Sequence, residues 1–247
     1  MRADTPLVSR LEPSPNQNER RGVAGPDILL LHYTGMRSGA DALARLTDAA
    51  SEVSAHYLVE EDGAIYQLVP EAKRAWHAGR GSWQGHTDIN SRSIGIEIVN
   101  PGHEHGYRPF PRPQIDAVIE LCKDCGERWR IQPHLVLAHS DIAPDRKEDP
   151  GELFPWDQLF SAGVGAWCAI EPKASEFSLR EGDRGEAVEA WQRRLATYGY
   201  GLSVDGIFGP QSRLVTIAFQ RHFRPERLDG VVDAGAVETL DRLLRSV

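Results

Sequence analysis

Two short apolar runs most constrain what this chain can fold into. Asp27–Tyr33 (DILLLHY) is of strand length and starts directly after Gly25-Pro26, a pair that interrupts regular structure. Ser93–Asn100 (SIGIEIVN) alternates, with Ile94, Ile96 and Ile98 on one face and Gly95, Glu97 and Val99 on the other. Helical patterns lie between and beyond these runs. Ser38–Ala50 carries Ala42, Leu43, Leu46 and Ala49 at helical spacing, and Ile115, Val118, Ile119, Cys122, Cys125 and Trp129 form a longer stripe. Ala55–Glu60 and Ala64–Val69 flank Glu61-Asp62-Gly63, a hairpin signal. Leu135–His139 reads as a further short strand and Trp156–Trp167 as a closing helix. Strands interleaved with helices point to an α/β or α+β domain. Residues 1–26 read as an extended, partly ordered arm. Arg74–Ser91, rich in Gly, His and Trp, reads as a long functional loop.

With 247 residues, one large or two unequal domains are expected. The composition favours two. Around residues 169–176 (AIEPKASE) it shifts to a short polar linker, and the remainder is helix-rich. That remainder contains an internal echo: Val204-Asp205-Gly206 and Leu228-Asp229-Gly230 each open a turn that feeds a helical pattern. The expected division is therefore a first domain over 1–168, including the arm, a linker over 169–176, and a second domain over 177–247.

Bulk properties exclude more than they assign. The net charge of −8, with no basic block, disfavours a nucleic-acid partner. No apolar run approaches transmembrane length. The polar N-terminus lacks the apolar stretch of a secretory signal, so a cytoplasmic location is expected, with the periplasm or cell envelope as the alternative. Three cysteines give no complete disulfide framework. Cys122 and Cys125, although spaced as a CxxC, fall on the apolar stripe of a predicted helix and read as core.

Chemistry concentrates at three positions. His32 ends the first strand, His139 ends a later one, and Asp149 follows in the adjoining loop. Strand ends are where a rigid sheet can present ligands. Two imidazoles and one carboxylate suit a zinc ion, with a fourth position left for water. Glu97 is a lone carboxylate in an apolar strand, placed to move protons if it faces that ion. Lys147 lies two residues before Asp149 and shares its side of an extended segment, where its charge can face an oxyanion. Each residue also has a plainer reading: a structural histidine, a Glu97–Arg pair, a solvated Lys147. His56 reads as structural. Trp76 and His77 read equally as groove wall or loop packing, and Asn90 and Arg92 are further candidates for sugar or peptide contacts. His86, His103, His105, His134 and His222 read as solvent-facing or local.

The segments LLLHYTGM (29–36), SAHYLV (54–59), RAWHAG (74–79), TDINSRSIGIEIVN (87–100) and AHSDIAPDRKEDPG (138–151) occur in that order. Together they closely resemble the type-2 N-acetylmuramoyl-L-alanine amidases, the AmpD/AmiD-like family, over roughly residues 22–160. The resemblance implies a mixed sheet flanked by helices, with Zn2+ on His32, His139 and Asp149, a catalytic carboxylate at Glu97 and a transition-state stabiliser at Lys147. It implies a peptidoglycan or muropeptide substrate and no organic cofactor, and the chain is expected to be a monomer. The alternative is a peptidoglycan-recognition protein without catalysis. SLREGDRGEAVEAWQRRLATYGY and VDGIFGPQSRLVTIAFQRHF, over about 177–245, resemble the type-1 peptidoglycan-binding domain, a three-helix module.

Overall fold

The computed structural model describes residues 1–170 and 177–246. In chain order, the first part comprises β1 (Arg10–Leu11), β2 (Gln17–Glu19), β3 (Ile28–Tyr33), α1 (Gly39–Thr47), β4 (Tyr57–Val59), β5 (Ile65–Gln67), β6 (Lys73–Ala75) and α2 (Ile89–Arg92). It continues with β7 (Ser93–Ile98), α3 (Gly102–His105), α4 (Arg112–Trp129), β8 (Val136–Ala138), α5 (His139–Ile142) and α6 (Trp156–Ser161). The C-terminal part holds β9 (Ser178–Leu179), α7 (Glu186–Tyr198), α8 (Pro210–Phe223), β10 (Val232–Asp233) and α9 (Ala234–Leu244).

Six strands form a mixed sheet in the order β1-β5-β4-β7-β3-β8. The β4–β5 pair is the expected antiparallel hairpin, and the other neighbours run parallel. β3 lies between β7 and β8 and is covered on both faces, which is why its sequence is continuously apolar. Leu29 and Leu31 join Ile94, Ile96 and Ile98 under the Ile115, Val118, Ile119 and Cys122 face of α4. Ile28 and Leu30 face the other way, into a core shared with Trp191, Leu195, Phe219 and Phe223 of α7 and α8. The C-terminal module is thus packed onto the sheet domain, and one apolar cluster spans both.

Three expectations change. Residues 1–26 are not a loose arm: β1 adds to the sheet beside β5, β2 pairs with β6, and Ser14 and Asn16 are buried, donating to backbone carbonyls of Leu46, Asp48 and Val53. Arg20 pins the segment by donating to the carbonyls of Ser91, Ser93 and Glu71. The 74–91 loop contains one strand at its start and leads into α2. The closing helix stops at Ser161, close to Gly163 with its φ of +89°.

The C-terminal module has three helices, as expected, together with the small β9–β10 ladder. Its internal echo has a physical basis. Gln192 of α7 accepts from the Asp205 and Gly206 amides and donates to the Ile207 carbonyl. Gln220 of α8 accepts from the Gly230 amide and donates to the Val231 carbonyl. One buried glutamine clamps each turn, and the turn glycines sit at φ +69° and +70°, where a side chain would be strained. The expected linker falls largely on residues 171–176, outside the described residues.

Candidate active site

β3 and β7 run parallel in register, so His32 lies beside Glu97 at the same end of the sheet. β8, on the other side of β3, ends at Ala138 and passes directly into α5, which begins with His139. Asp149 is drawn to the same place by its own backbone: the Ser140 amide donates to the Asp149 carbonyl. Parallel pairing thus brings together at one sheet end residues 117 positions apart.

The three side chains converge on one point. His32 Nδ1 and His139 Nδ1 are 2.9 Å apart, and each is 3.0 Å from Asp149 Oδ2. The surrounding hydrogen bonds decide which nitrogens carry protons. Ser93 Oγ donates to the Ile89 carbonyl and so accepts from His77 Nε2. His77 Nδ1 is then a lone pair that accepts from His32 Nε2 at 3.0 Å. His139 Nε2 donates to the Ala78 carbonyl at 2.9 Å. With neutral rings, both Nδ1 atoms are left as lone pairs facing each other and a carboxylate. Three buried acceptors that point at one another need a cation. Their spacing is close to the edge of about 3.3 Å expected between ligands of a tetrahedral ion at 2.0–2.1 Å. Held by hydrogen bonds on their far nitrogens, the imidazoles are oriented as metal ligands usually are. Among the described residues, this is the group of histidines and acids able to hold a metal ion.

The electrostatics agree. Burial and the neighbouring His139 push His32 down to about 4, so it is neutral at pH 7. Burial opposes ionisation of Asp149, but positive charge and hydrogen bonds on the His139 and His32 side, the place a cation would take, outweigh it and hold the carboxyl well below its usual range. Glu97 is shifted the other way. Burial first, then the Asp149 charge, raise it well above the ordinary glutamate value, while Lys147 pulls it down. Glu97 Oε2 is buried and has no hydrogen-bond partner among the described residues. A carboxyl that binds protons unusually well, with a free oxygen beside a cation site, is equipped for proton transfer.

These groups open into a cleft of about 1070 Å³, whose lining includes Trp76, His77, Glu97, Lys147 and the three convergent residues. Of the other expected contacts, Asn90 and Arg92 do not line it. Asn90 Oδ1 accepts from the His77 and Ala78 amides and so shapes the cleft wall from behind. Arg92 precedes β7 at the opposite end of the sheet and pairs with Asp27 at 2.5 Å. Two features escaped the sequence reading. α8 of the C-terminal module forms part of the cleft wall through Arg213, Leu214, Ile217 and Arg221. His222, expected to be solvent-facing or local, is buried and stacks on Trp156 at 3.7 Å. Neither contact has a local signature, because the partners lie far apart in sequence.

Known proteins show the same combination. The N-acetylmuramoyl-L-alanine amidase family model matches residues 22–152, and the peptidoglycan-binding domain model matches 184–242. N-acetylmuramoyl-L-alanine amidase AmiD of Escherichia coli is 40% identical over 229 residues, which cover 88% of this chain and 82% of AmiD. The solved complex of AmiD with anhydro-N-acetylmuramic acid-L-Ala-D-γ-Glu-L-Lys superposes with a TM-score of 0.77 at 38% identity, covering 92% of each chain. AmpDh3 from Pseudomonas aeruginosa superposes at 0.74 with 31% identity, over 92% of this chain and 96% of its own. The match thus extends through both halves of the chain and over the strands that carry the convergent site, and the chain belongs to the N-acetylmuramoyl-L-alanine amidase family.

Proposed function

We propose that this amidase uses a zinc ion on His32, His139 and Asp149 to hydrolyse the amide bond between the lactyl carboxyl of N-acetylmuramic acid and L-alanine. The observation that carries this reading is the convergence of two lone-pair Nδ1 atoms and one carboxylate oxygen beside the unpartnered oxygen of Glu97. When bound, zinc would polarise the scissile carbonyl and make water more acidic. Glu97 accepts a proton from the attacking water and returns it to the L-alanine nitrogen as the C–N bond breaks. Its raised proton affinity suits both halves of that transfer. Lys147, within electrostatic reach of Glu97 and His32, faces the negative charge that builds on the carbonyl oxygen. Trp76 contributes a cleft-lining ring on which a sugar or peptide can pack.

The substrate class is a muropeptide, either soluble and anhydro-terminated or part of polymeric peptidoglycan. AmiD and AmpDh3 each have a solved structure in complex with an anhydromuramyl peptide. The test is mass spectrometry of products from intact sacculi and from anhydromuramyl peptides, with and without a chelator. Release of L-alanine-terminated peptides that stops with chelator and returns with zinc is the expected result. Zinc-loaded protein that binds sacculi and releases nothing would replace this reading with the recognition-protein one.

A further inference from the structure

α5 has four residues, yet it fixes two of the three convergent ligands: His139 is its first residue, and the Ser140 amide holds the Asp149 carbonyl. So short a helix has no stability of its own, and its position depends on what anchors it. Its anchor is Asp141, which is 1% exposed. Asp141 Oδ2 accepts from the Ala138 amide at 2.8 Å and from His222 Nδ1 at 2.7 Å, and Oδ1 accepts from the Tyr200 hydroxyl at 2.7 Å. Two of these three donors belong to the C-terminal module. They are themselves immobilised: the His222 ring lies between Trp156 at 3.7 Å and Phe223 at 3.9 Å, and Tyr200 packs edge-on against Trp83 at 4.9 Å.

We propose that the C-terminal module is a structural part of the metal centre, with His222 and Tyr200 acting as positioning residues that hold His139 and Asp149 through Asp141. The inference rests on the metal reading above. Without the two module donors, a buried carboxylate keeps only the Ala138 amide, and α5 must shift toward water to satisfy it. Nearby groups that orient metal ligands typically change metal affinity by roughly 10–100-fold when removed. This role differs from tethering the enzyme to its substrate, and it makes the module necessary even for a small soluble substrate.

The test uses the full chain and measures zinc affinity by competition with a chromogenic chelator, alongside melting temperature with and without zinc. His222→Leu should weaken zinc binding roughly tenfold or more. Tyr200→Phe, which keeps the ring and removes only the hydroxyl, should weaken it by a smaller factor. His222→Asn, whose side-chain amide can stand in for Nδ1, should restore most of the loss. Should His222→Leu fail to fold, Tyr200→Phe and His222→Asn carry the test. The proposal is overturned if the folded variants bind zinc as tightly as wild type while their melting temperatures fall equally with and without zinc, since that outcome assigns the contacts to domain docking alone. A wild-type chain that takes up no zinc would instead sink the metal reading, and this proposal with it.

Discussion

Two buried histidine clusters lie on either side of His77, and they differ in one respect. His32 and His56 are both nearly inaccessible, both are pushed down by burial, to about 4 and about 3, and their rings lie 5.1 and 5.7 Å from that of His77. His56 is saturated by the protein: its Nδ1 accepts from the Gly95 amide at 2.9 Å and its Nε2 donates to the Lys73 carbonyl at 3.0 Å, with Arg20 alongside. His32 has only its Nε2 satisfied, and its Nδ1 faces two more acceptors. Burial and a depressed pKa are common to both, so neither sets His32 apart. What marks it is a hydrogen-bond account that the protein alone leaves open.

That contrast is sharpest under truncation. His139→Ala or Asp149→Ala should abolish zinc uptake and reduce turnover to background while the melting temperature of zinc-free protein changes little. His56→Ala should do the reverse: it takes the ring partner from the Gly95 amide and the Lys73 carbonyl in a dry core and should cost about 1–3 kcal/mol in urea unfolding, with zinc uptake retained by the folded protein. Loss of zinc in both variants would erase the distinction.

Next in size come the residues that act on the reaction without holding the ion. Glu97→Gln should lower kcat by about 10²–10⁴-fold with zinc content unchanged. Lys147→Ala should lower kcat by about 10²–10³-fold, also with zinc retained. If either loss followed zinc content, that residue would belong with the ligands.

A smaller effect is the pH dependence that His56 gives to stability. An imidazole whose folded pKa is depressed leaves the unfolded chain binding more protons, so stability is fully present above the unfolded value of about 6.5 and is lost as pH falls toward the folded one. For His56 the window therefore runs from about 6.5 down through about 3. Zinc-free protein should lose stability across it, and His56→Asn should flatten the slope by close to one proton. An unchanged slope would mean that His56 is not the buried neutral base its contacts describe. The smallest effect is expected at Arg92. Arg92→Ala removes the Asp27 pair at the far end of the sheet and should leave KM unaltered, whereas Trp76→Ala, within the cleft, should raise it.

Much of this was legible in the sequence where side-chain pattern controls structure. β3 and β7 declare themselves by apolar runs, and α4 by its stripe, because burying those faces is what places them. The meeting of His32 and His139 was legible because both lie at the ends of neighbouring strands. The β1 and β2 pairings were not, since two- and three-residue strands joined by backbone hydrogen bonds leave little trace in residue type. Arg92 was misplaced for a geometric reason: five residues along an extended strand separate it from Glu97 by roughly 16 Å, so nearness in sequence became opposite ends of a sheet. His222 was misread because its partner Asp141 is 81 residues away.

The most direct test of the central claim is hydrolysis of a defined anhydromuramyl tripeptide in ¹⁸O-labelled water, followed by mass spectrometry of both products. Attack at the lactyl carbonyl predicts label in the muramic acid carboxylate, an unlabelled peptide beginning with L-alanine, and neither product when a chelator is present. Label in an amino-acid carboxylate, or cleavage that is indifferent to the chelator, would contradict it.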